Sequence, residues 1–182
     1  MSYRYLFIGV ILSALSISSC SSQKGKAQKT LMEMSKHRVR LPLKEMGCFH
    51  SAVDTLERIG ISSVKFNYVH YVDSSQCSPC ALDRMYYWNK LVDEYSKKGI
   101  NFVFIIEPKK EQLEDVHLSI ESSGLRNPVY VDSLYAFKKQ NPFLPEEQMY
   151  HSLLLNKNGK IVLVGNPMEN ENIKQIWNKL IK

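Results

Sequence analysis

The residues best equipped for chemistry in this 182-residue chain are Cys77 and Cys80, set two apart in Cys77-Ser78-Pro79-Cys80. Two thiols at this spacing can close a disulfide within one helical turn and open it again by thiolate exchange. Their surroundings decide whether they do. Val64 to Val72 is rich in β-branched and aromatic residues and predicts a strand. Pro79 then suits a first helical position. The motif therefore sits where a strand ends and a helix begins. A thiol there meets backbone N–H groups that have no helical partner, which favours thiolate over thiol. Cys77 is expected to be the exposed nucleophile, and Cys80, one turn on, the shielded resolving thiol. Structural zinc is the main competing use of such a pair. It calls for further ligands, and only Cys48 and five scattered histidines remain, none paired at metal spacing. A purely structural role is disfavoured, because so tight a loop removes little chain entropy.

The elements that must hold the pair follow from periodicity. Leu82, Met85, Tyr86, Val92 and Tyr95 recur at helical spacing up to Gly99, predicting one helix from Pro79. Asn101 to Glu107 is nearly all apolar, as in a strand covered on both faces. Strand, helix and strand of this length imply a right-handed parallel crossover. Leu113, Val116 and Ile120 predict a second helix closed by Gly124, and Pro128 to Val131 a short strand. Tyr150 to Leu155 and Ile161 to Val164 form a hairpin through Asn158-Gly159. Ile173, Ile176, Trp177 and Leu180 give a last helix with one apolar face. The order β-α-β-α-β-β-α describes an α/β fold, helices flanking one central mixed sheet. Leu31 to Ser63 is the least legible stretch. Val53 to Ile59 has some helical spacing, and an added hairpin fits equally well.

The N-terminus reads as a targeting segment. Arg4 precedes an uncharged, mostly apolar run, Leu6 to Ile17, and small residues lead into Cys20. The run is shorter than the roughly 20 residues a spanning helix needs. Ile17-Ser18-Ser19-Cys20 resembles the bacterial lipobox, with isoleucine at the usual leucine position, which implies lipid on Cys20. Ser21 to Thr30 is polar with no apolar period and predicts a flexible tether. The net charge of +6 is dispersed and no basic run alternates with aromatics, so no nucleic-acid binding is expected. An exported chain lives where disulfides persist. With Cys20 lipidated, one working pair and one extra thiol, Cys48, remain.

Three local patterns carry a resemblance that covers about Val64 to Ile181. Cys77-Ser78-Pro79-Cys80 at the helix start is the first. Asn127-Pro128-Val129-Tyr130-Val131-Asp132 and the hairpin Ser152 to Val162 are the others. Together they resemble the thioredoxin superfamily, and within it the TlpA/ResA-like membrane-anchored thiol-disulfide oxidoreductases. Gly165-Asn166-Pro167 after the hairpin is similar to anchored thioredoxin-like lipoproteins. The chain is then read as signal peptide (1–19), lipidated cysteine and tether (20–36), a poorly defined N-terminal extension (37–63) and a thioredoxin-like domain (64–182).

The resemblance implies a redox role for Cys77 and Cys80, with no cofactor and no resident metal. In the ResA-like members an acid three residues after the second cysteine tunes the site, and Asp83 holds that place. Buried near a thiolate it could move a proton; at the surface it is an ordinary first-turn aspartate. Pro79 and the residues before the hairpin strand, Tyr150 and His151, are the expected substrate-positioning residues. Two departures stand out. Tyr71 occupies the place of thioredoxin's buried aspartate, so that acid is missing. Tyr150 occupies the place of the family's cis-proline, and a tyrosine peptide bond pays about 2.5–4 kcal/mol to be cis. The gap left by the proline makes a Cys77/Cys80/His151 copper site the alternative function. Peroxidase chemistry is disfavoured, since His70 replaces the proline of that motif. The implied clients are exported proteins with cysteines, together with a membrane-side redox partner. The implied location is the cell envelope, lipid-anchored and facing the periplasm. Ser78-Pro79 is nearer to thioredoxin's Gly-Pro than to the Pro-His of strong oxidants, which favours a reductase.

Overall fold

A computed structural model describes residues 23–51 and 64–181. The chain divides into two compact units, 1–36 and 37–182. In the first, residues 23–34 are α-helical (α1), where a flexible tether was expected. Lysine, alanine, glutamine, leucine, methionine and glutamate are all good helix formers, and only Gly25 and Thr30 interrupt them. A tether reading based on missing apolar periodicity overlooks such propensity. The lipobox and Val53 to Ile59 lie outside the described residues.

The second unit holds a six-stranded sheet in the order β1-β4-β3-β2-β5-β6. The strands are β1 (Gly47–Phe49), β2 (Phe66–Val72), β3 (Ile100–Ile106), β4 (Val129–Val131), β5 (Ser152–Asn156) and β6 (Ile161–Val164). β2, β3 and β4 are parallel, while β1, β5 and β6 join antiparallel. The helices are α2 (Ser78–Leu82), α3 (Trp88–Ser96), α4 (Leu113–Ser122), α5 (Ala136–Gln140) and α6 (Glu171–Leu180). This is the thioredoxin-like arrangement, with the parallel crossover and terminal hairpin where the sequence predicts them. At the hairpin, Gly159 has φ +73°, and a Cβ there would meet the Val39 carbonyl oxygen at 2.7 Å. Val39 N–H donates to the Gly159 carbonyl at 2.8 Å, so residues before β1 are stitched to the hairpin. The stretch read as an extension before the domain thus contributes a strand and belongs to the same compact unit.

One face of the sheet carries the main core. Tyr68, Val72, Phe102, Phe104 and Leu154 pack there with Trp88, Val92 and Tyr95 of α3, Val116 and Ile120 of α4, and Trp177 of α6. Trp177 meets Tyr68 and Tyr95 edge-on, at 5.2 and 5.3 Å between ring centroids. Burying these aromatic rings removes a large apolar area from water. On the other face Tyr71 packs on Phe137 of α5 at 4.8 Å.

The single helix predicted from Pro79 is broken. α2 ends at Leu82, a 3₁₀ turn covers Met85–Tyr87, and α3 follows. The apolar spacing explains this. Leu82, Met85 and Trp88 are all buried and three apart, which suits three residues per turn; Trp88, Val92 and Tyr95 then take the α spacing. Tyr86, expected on the apolar face, is exposed. α5 was not predicted, because five residues show no period. It starts after Tyr135, which has φ +58°, and both oxygens of the Asp132 carboxylate accept its first N–H groups, from Ala136 at 2.8 Å and Phe137 at 2.7 Å.

Candidate functional site

The C-terminal ends of β2, β3 and β4 open on one edge of the sheet, and Cys77 and Cys80 lie just beyond β2. They are joined as a disulfide, with Cα atoms 5.3 Å apart. Cys77 is the N-cap of α2, and its sulfur accepts the Cys80 N–H at 3.3 Å. In a five-residue helix the collective dipole is small, so this one N–H is the chief local stabiliser of a Cys77 thiolate. Both cysteines are exposed; the expected shielding of Cys80 is not found. Ser78, the first residue of α2, is turned fully inward (0% exposed) and Cys80 faces outward. Pro79 therefore stands second in the helix and is half-buried, where its missing N–H costs nothing.

Asp83 is exposed at the C-terminal end of α2. Burial beside the thiols, on which a proton-shuttle role depends, is not met. Tyr150 is buried, and no peptide bond is cis among the described residues. The turn before β5 presents Gln148 and Met149 instead, and Gln148 donates its side-chain amide to the Gln76 side chain. Contact with the motif loop thus falls to Gln148. His151 is buried at 3% exposure, with Nε2 on the Pro145 carbonyl at 2.8 Å. No group of three His, Cys, Asp or Glu side chains is placed to hold a metal ion among the described residues, so the Cys77/Cys80/His151 copper set is not assembled. Cys48 is an exposed free thiol on β1, three strands from β2 and so roughly 14 Å across the sheet.

A set of residues that the sequence reading missed lies under the motif loop. Val72, Ile106 and Val131 are in register across β2, β3 and β4. Each is followed by a buried acid: Asp73, Glu107 and Asp132. Alternation puts Asp73 on the Tyr71 face of the sheet. The Tyr71 hydroxyl donates to Glu107, so the acid missing from position 71 arrives from the neighbouring strand. Burial first, and then that bond and the surrounding carboxylates, hold the Tyr71 phenol far above its ordinary pKa, so it remains a donor. Ser74 Oγ donates to the other Glu107 oxygen at 2.8 Å. Asp73 Oδ1 accepts from Ser75 N at 3.1 Å, Ser75 Oγ at 2.6 Å and Gln76 Nε2 at 3.4 Å. Every residue of the Ser74–Gln76 loop is therefore tied to a buried carboxylate before the chain reaches Cys77. On the opposite face His70 packs against Trp88 and bonds Ser152 Oγ at 2.9 Å. Burial, and then the like charge of His151, push it down to about 4.

No family model matches the chain, and no curated protein matches it. Solved structures do. It is similar to a protein described as thiol:disulfide interchange protein DsbE from Chlorobium tepidum, at 17% identity over 66% of this chain and 82% of that one, TM-score 0.48. It is similar to a thioredoxin-like protein in its oxidised form, at 18% identity over 72% and 88%, TM-score 0.47. A thioredoxin domain of a thiol-disulfide oxidoreductase from Bacteroides vulgatus aligns at 17% identity over 66% and 81%, TM-score 0.47. The redox chemistry rests on the Cys77–Cys80 pair itself.

Proposed function

We propose that this chain is an extracytoplasmic thiol-disulfide oxidoreductase that reduces disulfides between cysteines of exported proteins and is anchored by lipid on Cys20. One observation carries the chemistry: an exposed Cys77–Cys80 disulfide at a helix start, with the Cys80 N–H on the Cys77 sulfur. In the reduced protein the Cys77 thiolate attacks a client disulfide and forms a mixed disulfide, expelling one client thiolate. The Cys80 sulfur then attacks Cys77, closing the pair and releasing the second client thiolate. Two electrons pass from protein to client. A membrane-side partner returns them. Exposure of both cysteines leaves the motif open to a folded client.

Trapping tests the assignment. Cys80→Ser should accumulate mixed disulfides with envelope proteins through Cys77, and Cys77→Ser should not. Clients trapped only through Cys80 would reverse the roles. The anchor is tested separately by intact mass: the membrane-extracted protein should carry diacylglycerol on Cys20, and Cys20→Ala should release it.

A further inference from the structure

His151 is the one imidazole aimed into the acid row, and half of it has no partner. A carbonyl only accepts, so Nε2, 2.8 Å from the Pro145 oxygen, carries a hydrogen. In the neutral ring Nδ1 is then bare. It is fully buried, has no hydrogen bond, and lies 3.7 Å from Asp73 Oδ2. A proton placed on Nδ1 would face a carboxylate one small movement away from a charge-assisted bond. Its backbone is also linked to the motif loop by a chain of hydrogen bonds. His151 N donates to the Gln148 carbonyl at 3.0 Å. The Gln148 side chain bonds Gln76, and Gln76 N returns to the Asp73 carbonyl at 3.1 Å. Cys77 is the next residue.

We propose that His151, held against Asp73, stores the proton that leaves Cys77 as a thiolate when the pair is reduced. The idea rests on the redox reading above and adds a positioning residue to it. The reduced protein then holds a Cys77 thiolate, a Cys80 thiol and an imidazolium on Asp73. As a client disulfide is reduced, its two sulfurs gain two electrons and two protons. Cys80 gives up one proton when it displaces the client from Cys77, and His151 Nδ1 gives up the other. The product is a disulfide beside a neutral ring with a bare Nδ1; the structure holds that disulfide, and Nδ1 makes no hydrogen bond in it. Titratable groups approach the ring from each element around it. Asp73 and Tyr71 face it from β2, with the Tyr71 ring at 5.1 Å. Glu107 and Asp132 lie beyond Tyr71 from β3 and β4, and His70 opposes the charge from the other face of β2. Lys138 of α5, paired with Glu146, feels both Glu107 and Asp73.

The test is an NMR titration of the His151 ring in the oxidised and reduced wild-type protein, with the resonance assigned by its loss in His151→Gln. Reduction should raise the His151 midpoint by about half a pH unit or more, a roughly threefold gain in proton affinity. Asp73→Asn should lower the midpoint and shrink the difference. Cys77→Ser, which cannot form the thiolate, should titrate like the oxidised protein; a rise there as well would overturn the coupling. A disulfide that cycles while the His151 midpoint does not move refutes the proposal and leaves the oxidoreductase standing. A disulfide that does not cycle at all refutes both.

Discussion

Tyr71→Phe isolates one bond beneath the site. The ring stays, so its packing on Phe137 is kept and no cavity opens. Only the hydroxyl that donates to Glu107 is lost. Glu107 is 1% exposed, so water does not replace the donor, and the carboxylate keeps only its contacts to Ser74. A hydrogen bond to a charged group contributes about 1.5–3 kcal/mol, and leaving a buried carboxylate short of a donor puts the cost at about 2 kcal/mol or above. For a chain of this length each kcal/mol moves the melting point by about 2–4 °C, so a fall of roughly 4–8 °C is expected. Thermal denaturation at neutral pH measures it, with Glu107→Gln and the double variant completing a cycle. The two single losses should not add, because both act on one bond. A loss below about 0.5 kcal/mol, the range of ordinary surface changes, would show that Glu107 does not depend on Tyr71.

Further outcomes follow from the same geometry. His70 titrates near 4 when folded against an ordinary 6.5, so the unfolded chain binds the extra proton between those values. Its contribution is whole above pH 6.5 and is lost as pH falls toward 4, by at most about 3 kcal/mol, and His70→Gln should flatten that part of a stability–pH curve. Asp132→Ala orphans two buried N–H groups at the start of α5 and should cost about 2–5 kcal/mol by denaturant titration. Asp83→Asn should change the disulfide-exchange rate less than about twofold, since its carboxylate is exposed; a loss in the roughly 10²–10⁴-fold range of general acid–base catalysis would restore the shuttle role.

The redox pair and the sheet around it were legible because each depends on a local pattern. The Cys-x-x-Cys spacing, the apolar run at Phe102 to Ile106 and Asn158-Gly159 need no knowledge of distant residues. β1 and α5 escaped because three and five residues carry no period, and both are set by partners far along the chain: β4 for one, the Asp132 carboxylate for the other. The acid row was present in the sequence as an acid after each of three apolar strand ends, Val72-Asp73, Ile106-Glu107 and Val131-Asp132. Only the parallel register shows that the three are neighbours. At the position that holds thioredoxin's buried aspartate this chain has Tyr71, whose hydroxyl reaches Glu107 instead.

The central claim is most directly tested by stopped-flow reduction of a protein disulfide by the pre-reduced protein, counting thiols on both sides. Wild type should lose two thiols, Cys77 and Cys80, for each client disulfide opened, with Cys77→Ser inactive and Cys48→Ser unaffected. Exchange no faster than an equal concentration of a free dithiol, or activity that survives in Cys77→Ser, would contradict the account.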